Sequence, residues 1–189
     1  MPTYLEYLLA RLERAGGTLE VGTVRSLAEA AAGLMVGTVV NCAGVHARHL
    51  AGDPALTAWR GQTVIAANPG LTEFFIGVPG DGHELVYLFP HADTVVLGGT
   101  QVAGDWNPEP VPAVADRILR DCAEVEPRLR DAAVLGHRVG LRPVRPQVRL
   151  EAARDGAAGP LIVHNYGHGG AGVTLAWGCA RAAAALVAG

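Results

Sequence analysis

The sequence predicts a mixed α/β fold, and three observations indicate it. Apolar residues recur at helical spacing near the N-terminus, an alanine-rich helical segment closes the chain, and several short runs typical of strands lie between them. One of these runs, residues 37–44, is continuously apolar and ends in small residues, as buried parallel strands often do. A chain of 189 residues is long enough for one ordinary domain with a sizeable core.

The N-terminal third predicts two helices and two strands. Leucines at positions 5, 8, 9 and 12 have the spacing of an amphipathic helix, which the glycines at 16 and 17 end. We expect its leucine face to pack against the core rather than to bind a membrane. A strand is then expected over residues 18–24, a helix over residues 27–34 and the apolar strand over residues 37–44.

The middle of the chain predicts mainly strands. The tetrapeptide WRGQ at residues 59–62 begins the next segment. Strands are expected over residues 63–67, 84–90 and 94–99, and the last two form a hairpin around residues 91–93. A helix is expected over residues 114–125.

The C-terminal third predicts an extended segment, a strand and a long helix. Residues 138–150 are expected to be extended, because Pro143 and Pro146 exclude a helix there. A polar loop is expected over residues 151–160, a short apolar strand over residues 161–163, and a helix over residues 172–187.

Composition and charge exclude several classes of protein. Half of the residues are hydrophobic and 17% are charged, which indicates a globular chain, and a net charge of −3 without a basic patch excludes nucleic acid as a partner. The three cysteines, Cys42, Cys122 and Cys179, form no CxxC pair, so we expect buried free thiols. The sequence shows neither an apolar run of membrane-spanning length nor a secretory signal, and it therefore predicts a cytoplasmic protein without membrane partners.

The most informative segment is HNYGHGGAGVT at residues 164–174, between the last strand and the last helix. Its glycines allow positive φ angles and a close approach of the backbone to a ligand. The start of the helix behind them offers unpaired N–H groups and a partial positive charge. This segment therefore predicts a cradle for an electron-rich planar or anionic group.

A second informative segment is LRPVRPQVR at residues 141–149. Prolines on both sides of Arg145 stiffen the backbone, and an arginine on a stiff extended segment loses little entropy when it binds a ligand. The planar guanidinium group suits a carboxylate, with two parallel charge-assisted hydrogen bonds. From composition alone, the alternative is a set of solvated or salt-bridged arginines.

Other catalytic templates fail in this sequence. His164 and His168 are four residues apart, but a glycine-rich loop does not place them on one helix face, and no carboxylate completes a zinc site. We therefore expect no metal. There is no GxSxG elbow and no catalytic-cysteine pattern. Four loop aspartates have the sequence context of turn residues, namely Asp53, Asp81, Asp93 and Asp105.

The two informative segments resemble the D-amino-acid oxidase family of flavoenzymes, and the resemblance runs in the correct order from near Tyr4 to near the C-terminus. Family members carry a similar Arg-Pro-x-Arg-Pro segment, whose first arginine binds the substrate carboxylate; that position is Arg142 here. Tyr87 matches a tyrosine that also contacts the carboxylate, and the backbone at Gly170 matches a contact to the substrate amino group. A second active-site tyrosine of some members falls near His83, where this chain departs from the family.

The resemblance implies FAD as the cofactor. The turn that holds the flavin in the family matches Gly169, Gly170, Ala171, Gly172, Val173 and Thr174. Nucleotides usually bind at the carboxyl ends of parallel strands, so the small residues that end the strand at 37–44 are also expected to face the cofactor, although an ordinary strand-to-loop turn is the alternative; these residues are Cys42, Ala43 and Gly44. Val24 falls where a family strand contacts the adenine side.

The family's N-terminal GxGxxG block, which binds adenosine and pyrophosphate, does not occur in this sequence. The resemblance thus implies the C-terminal part of a FAD-dependent amine oxidoreductase fold. Residues 1–60 and 130–189 would be remnants of the Rossmann-like FAD domain, and residues 61–129 would carry the antiparallel substrate-domain sheet. We expect a single incomplete unit, which is a fragment, one half of an enzyme completed by a separate N-terminal FAD-binding polypeptide, or a non-catalytic remnant.

The activity that the resemblance implies is oxidative deamination of a neutral D-amino acid. Hydride transfer from Cα to FAD would give an imino acid, which hydrolyses to a keto acid and ammonia, while oxygen is reduced to hydrogen peroxide. A glycine or sarcosine oxidase and a D-aspartate oxidase are the alternatives. Specialists for D-aspartate carry extra cationic side chains, and none occurs around residues 75–78.

Overall fold

The computed structural model describes residues 2–80, 84–154, 156 and 159–189. It confirms the mixed α/β class. Across the described residues the α-helices are α1 (Pro2–Arg14), α2 (Leu27–Gly33), α3 (Ala47–Leu50), α4 (Pro112–Val125) and α5 (Gly172–Ala188). The strands are β1 (Thr38–Asn41), β2 (Thr57–Ala67), β3 (Phe75–Gly77), β4 (Val86–Pro90), β5 (Thr94–Gly98), β6 (Val102–Ala103), β7 (Val134–Arg154) and β8 (Leu161–His168).

The strands form one sheet in the order β1-β8-β7-β2-β5-β4-β3, and β6 pairs with β2 outside this path. β1 and β8 are parallel, with Asn41 opposite His164, and the other pairs are antiparallel. The long pairing of β2 with β7 places Trp59 opposite Arg142 and Gly61 opposite Gly140. The β2–β7 pair therefore lies between β8, which leads into the glycine-rich segment, and the β4–β5 hairpin.

The main core lies between α4 and the antiparallel part of the sheet. Helix α4 begins with Pro112 at its first turn, where a missing N–H costs nothing, and it buries Ala115, Ile118 and Cys122. This i, i+3, i+7 spacing presents one apolar face to Val95 and Leu97 of β5. A second, smaller cluster contains Ala47, Leu56 and Tyr166.

Most of the elements expected from the sequence are confirmed, and several are longer than expected. The hairpin of β4 and β5 turns at residues 91–93, as expected. The helix over residues 114–125 begins two residues earlier, at Pro112, and the strand over residues 63–67 begins at Thr57. The last helix spans Gly172–Ala188, and α2 ends one residue before the expected Leu34. The short strands β3 and β6 were not expected.

Two expectations about burial are wrong. The leucine face of α1 is not buried in a core, since Leu5 and Leu12 are 57% and 44% exposed. Of the three cysteines only Cys122 is buried, whereas Cys42 is exposed and Cys179 is partly exposed.

Four expectations about local structure are also wrong. Residues 18–24 form no strand; they lie outside the helices and strands and are exposed, with Val21 fully exposed. The apolar run at 37–44 is a strand only over Thr38–Asn41, and it lies at the edge of the sheet with Val40 43% exposed. β7 continues to Arg154, so the first residues of the expected loop at 151–160 pair with β8. β8 extends from Leu161 to His168, which moves the start of the glycine turn to Gly169.

Helix α5 packs on the sheet but remains largely exposed. Only Ala183 is buried among its residues, while the Trp177 indole donates to the Tyr4 hydroxyl of α1 at 2.9 Å. The segment Gly169–Ala188 is 20 residues long with a mean hydropathy of 1.4, so it is long and apolar enough to cross a membrane by length and composition alone. The expectation that no apolar run reaches this length is therefore wrong.

Candidate functional site

The side chain of Arg142 is held across the sheet. Its guanidinium group lies over Gly61 of β2, where a Cβ atom would overlap the guanidinium nitrogens. Nη1 donates to the carbonyl oxygen of Thr100 at 3.2 Å, and the Thr100 hydroxyl in turn accepts from the backbone N–H of Gln62 at 2.7 Å. Among the described residues no carboxylate pairs with Arg142. A guanidinium group has five N–H donors, so donors remain for a ligand carboxylate.

The ring of Tyr87 lies flat on the glycine pair that ends β5. A Cβ atom on either Gly98 or Gly99 would overlap this ring, so the two glycines make room for it. Burial raises the pKa of Tyr87, and the positive charge of Arg142 offsets part of that rise. The phenol is therefore neutral at physiological pH and can donate a hydrogen bond. Within the described residues its hydroxyl has no hydrogen-bond partner.

Tyr87, Arg142 and Gly170 meet at one cavity of about 420 Å³. They come from β4, β7 and the glycine turn, and a Cβ atom on Gly170 would lie 3.9 Å from Cδ of Arg142. The sequence reasoning missed the other residues that line the cavity, which are Glu84, Leu85, Gly99, Thr100 and Gln101. The structure thus brings together the three residues predicted to contact substrate; their roles stay predictions. His83, the position of the departure from the family, lies outside the described residues.

The glycine turn joins β8 to α5 with a backbone that glycine favours. Gly167 and Gly169 have φ angles of +90° and +56°, in the left-handed region. Gly169–Ala171 form one 3₁₀ turn, and α5 begins at Gly172 without a side-chain cap. The first N–H groups of α5, at Gly172, Val173 and Thr174, therefore have no capping side chain as an acceptor.

The residues next to this turn contain buried polar atoms that lack a partner. Oδ1 of Asn165 and Nε2 of His168 are buried without a hydrogen bond among the described residues. Burial lowers the pKa of His168, so its imidazole is neutral at physiological pH. Buried orphaned atoms usually indicate a ligand or solvent that satisfies them. The open glycine backbone, the uncapped helix and these two atoms fit a polar, planar group such as the isoalloxazine ring of FAD.

The predicted cofactor residues fall into two groups. Cys42, Ala43 and Gly44 follow β1 at the same end of the parallel pair at which β8 leads into the glycine turn, and the Asn165 amide contacts Sγ of Cys42 at 3.7 Å. The structure thus places them beside the cradle. Val24 is 50% exposed and lines a different cavity, formed by residues of the segment before α2 and of α2 itself. The structure does not bring Val24 to the glycine turn, and its adenine contact stays a prediction.

Asp53 was expected to be a turn residue, and this interpretation is incomplete. Its Oδ1 does accept from the N–H of Ala55 at 3.1 Å, as in a turn, but the side chain is buried. Its Oδ2 accepts from Nε of Arg145 and from the Tyr166 hydroxyl, both at 2.8 Å. Burial favours a higher pKa for Asp53, but the hydrogen bonds from Tyr166 and Arg145 outweigh it and hold this pKa below its ordinary value. Arg145 is thus a salt-bridged arginine, whereas Arg142 is not.

Comparison with known proteins decides the family. Residues 1–186 match the family described as FAD dependent oxidoreductase (DAO). The chain belongs to this family. DAO proteins are FAD-dependent, which agrees with the cofactor expected from the glycine turn.

Several named DAO relatives are similar to the chain over nearly its whole length. It is 55% identical over 186 residues to a D-amino-acid oxidase of Rubrobacter xylanophilus, covering 98% of this chain and 56% of that protein. It is 48% identical to a D-amino-acid oxidase of Streptomyces coelicolor and 40% identical to the human D-aspartate oxidase, covering 57% and 53% of those proteins. The chain therefore spans about half the length of the relatives it matches.

Solved structures of other oxidases show the same fold. A glycine oxidase from Geobacillus kaustophilus aligns with a TM-score of 0.68 at 19% identity, over 80% of this chain and 41% of that chain. An iminodiacetate oxidase from Chelativorans aligns with a TM-score of 0.64 at 21% identity, over 80% of this chain and 42% of that one. The partial coverage agrees with the expectation that the chain corresponds to the C-terminal part of the fold.

Proposed function

We propose that this chain carries the substrate-binding and flavin-contacting half of an oxidase for neutral D-amino acids. The observation that carries the proposal is the cavity that Tyr87, Arg142 and Gly170 share, in which a phenol and a glycine backbone lie beside a cation that has no carboxylate partner among the described residues. These are the three groups that an α-amino acid needs at its carboxylate and amine. Bound FAD would supply the chemistry by accepting a hydride from the substrate Cα and passing the electrons to oxygen.

The protein's part in this reaction is to bind and orient the substrate. Arg142 would hold the carboxylate through its free N–H donors, and the Tyr87 hydroxyl would add one hydrogen bond. The Gly170 carbonyl would accept a hydrogen bond from the amine. Fixing these two groups leaves one Cα substituent directed at the flavin, which selects one hand of the amino acid. If the amine is neutral when it reacts, no dedicated acid or base is needed.

The lining of the cavity supports a neutral side chain on the substrate. Glu84 lines it and pairs with Arg117 at 3.0 Å, so this arginine is already engaged. A second substrate carboxylate, as in D-aspartate, would face the negative charge of Glu84. The ring of Phe89 lies 5.1 Å from that of Tyr87 and adds an apolar surface beside the site. These observations favour D-alanine and similar substrates over D-aspartate.

The test is an oxidase assay on the chain incubated with FAD, with hydrogen peroxide as the readout. D-Alanine should give peroxide and a keto acid, whereas L-alanine, D-aspartate, glycine and sarcosine should give much less. A clear preference for glycine or sarcosine would replace the proposal with the corresponding alternative. Activity on D-alanine that is unchanged in Arg142→Ala would refute the proposed site.

A second candidate function is that of one half of a two-polypeptide enzyme. The exposed apolar side chains of α5 and β1, such as Val40, Val173 and Trp177, favour it, because they form a surface suited to a further protein layer. A polypeptide with a strand, a GxGxxG turn and a helix would supply the adenosine site. The test is to mix the chain with such a polypeptide: activity that appears only on mixing would support this version, and full activity of the chain with FAD alone would exclude it.

A further inference from the structure

A buried charge cluster lies beside the cradle and outside the substrate cavity. At its centre Oδ2 of Asp53 accepts from Arg145 of β7 and from Tyr166 of β8, both at 2.8 Å. Nη1 of Arg149 donates to the Tyr166 hydroxyl at 2.8 Å and lies 3.8 Å from the same carboxylate oxygen. Tyr166 is 1% exposed and Asp53 is 5% exposed, so water has little access to the carboxylate, whereas the side chains of Arg145 and Arg149 are 24% and 20% exposed.

The cluster joins the two segments that form the candidate site. Arg145 is three residues after Arg142 on β7, and Tyr166 is one residue before Gly167 on β8. The regular pairing of β7 with β8 is interrupted between Val144 and Arg149, so backbone hydrogen bonds alone do not fix the two segments there. Asp53, from a third segment of the chain, bridges the interruption through its side chain.

Arg145 also packs directly on Gly167, two residues before the glycine turn. A Cβ atom on Gly167 would lie 2.9 Å from Cβ and 3.3 Å from Cδ of Arg145, so the arginine side chain lies at close range against the end of β8 that leads into the turn. The carboxylate that orients Arg145 therefore also determines how the turn lies against β7. A shift of this side chain would move Gly170 relative to Arg142.

We propose that Asp53 is a positioning residue that fixes the glycine cradle against Arg142, and this inference rests on the proposed function. Asp53 acts through Arg145 and Tyr166 and touches neither substrate nor cofactor. An asparagine of the same size would replace one oxygen by an NH₂ group. In one orientation the NH₂ group would face the N–H of Ala55, and in the other it would face the donors of Arg145 and Tyr166. Either orientation places two hydrogen-bond donors against each other and loses a hydrogen bond that Asp53 makes.

The first test uses the chain without any cofactor and measures amide hydrogen exchange in Asp53→Asn. Exchange over residues 142–149 and 167–172 should rise by about tenfold or more, while exchange in α4 stays unchanged, because only the contacts around Asp53 are loosened. The matched control is Asp105→Asn, since Asp105 also pairs with a buried arginine, at 3.7 Å from Arg60, but away from the cradle. A uniform rise in exchange, or no rise in these two segments, would overturn the proposal.

The second test uses the FAD-incubated chain and compares KM with kcat for D-alanine. Asp53→Asn should raise KM by about tenfold to a hundredfold, more than it lowers kcat, since a small displacement of Arg142 weakens carboxylate binding first. Tyr166→Phe, which removes one of the two donors, should have a smaller effect in the same direction. A fall in kcat with an unchanged KM in Asp53→Asn would contradict the positioning role. If the wild-type chain oxidises none of the candidate substrates, the proposed function fails, and the exchange result still decides the role of Asp53.

Discussion

The guanidinium group of Arg142 on β7 occupies the space that a side chain would fill at Gly61 on β2, and these two strands are far apart in the chain but adjacent in the sheet. This relationship explains why a glycine stands in the middle of a long buried strand, where it costs stability. It also explains why Arg142 is directed into the cavity instead of into solvent. The pairing of β2 with β7 thus prepares the candidate carboxylate site before any ligand binds.

Gly61→Ala should displace Arg142 and weaken the use of D-alanine by roughly tenfold to a hundredfold, because the added Cβ overlaps the guanidinium group. Steady-state kinetics of the FAD-incubated chain measure the effect. Gly140→Ala is the matched control, since Gly140 lies opposite Gly61 in the strand pair and has open space around its Cβ position. Similar losses in both variants would show that strand glycines matter for folding and not for Arg142.

Arg142→Ala should lower kcat/KM for D-alanine. The loss should correspond to about 2–5 kcal/mol of transition-state binding, which is the usual cost of removing one partner of a buried charge pair. Arg142→Lys should recover only part of it, because an ammonium group cannot form two parallel hydrogen bonds to a carboxylate. Arg138→Ala, an exposed arginine on the same strand, is the control and should behave like the wild type. The clamp is refuted if Arg142→Ala leaves the kinetics unchanged.

Tyr87→Phe should keep the fold and lose one hydrogen bond to the substrate, about 0.5–1.5 kcal/mol. The ring would still cover Gly98 and Gly99, so the melting temperature should stay the same while KM rises. Tyr7→Phe, at an exposed tyrosine of α1, is the control and should change neither quantity. A drop in melting temperature without a change in KM would assign Tyr87 a packing role only.

The chain should lose stability as the pH falls below about 6.5, the ordinary pKa of histidine. Burial lowers the pKa of both His164 and His168, with the charge of Arg149 adding to the effect at His164. Because the pKa of each histidine is lower in the folded chain than in the unfolded chain, the unfolded chain binds more protons between these two pKa values. The stability that the neutral rings contribute is therefore present above the unfolded-state pKa, and it is lost as the pH falls through the folded-state pKa.

Urea unfolding at pH 7.5 and 5.5 measures this effect. The difference between the two midpoints should shrink in His164→Asn and in His168→Asn, because each removes one buried titrating ring. His91→Asn, at an exposed histidine, should leave the difference unchanged. A midpoint that is higher at pH 5.5 than at pH 7.5 would contradict the assignment of neutral buried imidazoles.

The sequence predicted the α/β class and the parts of the site that depend on local patterns. The glycine-rich pattern indicated a ligand cradle at residues 164–174, whereas the family resemblance singled out residues 169–174 and Arg142. Asp53 could not be assigned in this way, because its partners Arg145 and Tyr166 are 92 and 113 residues away along the chain. The strand expected at residues 18–24 does not form for a related reason. A local pattern becomes a strand only where another strand pairs with that segment, and the sequence alone does not show whether one does.

The most direct test of the central claim, that the glycine turn contacts the flavin ring, is a fluorescence titration of riboflavin with the chain. Riboflavin carries the ring without the adenosine that the GxGxxG block binds in the family. We predict a saturating change in its fluorescence, which is lost in Gly170→Val and kept in Gly178→Val, where the added side chain on α5 meets open space. The claim would be contradicted if the fluorescence showed no saturating change up to about 1 mM chain, since a Kd above that concentration means very weak binding. It would also be contradicted if Gly170→Val gave the same change as the wild type.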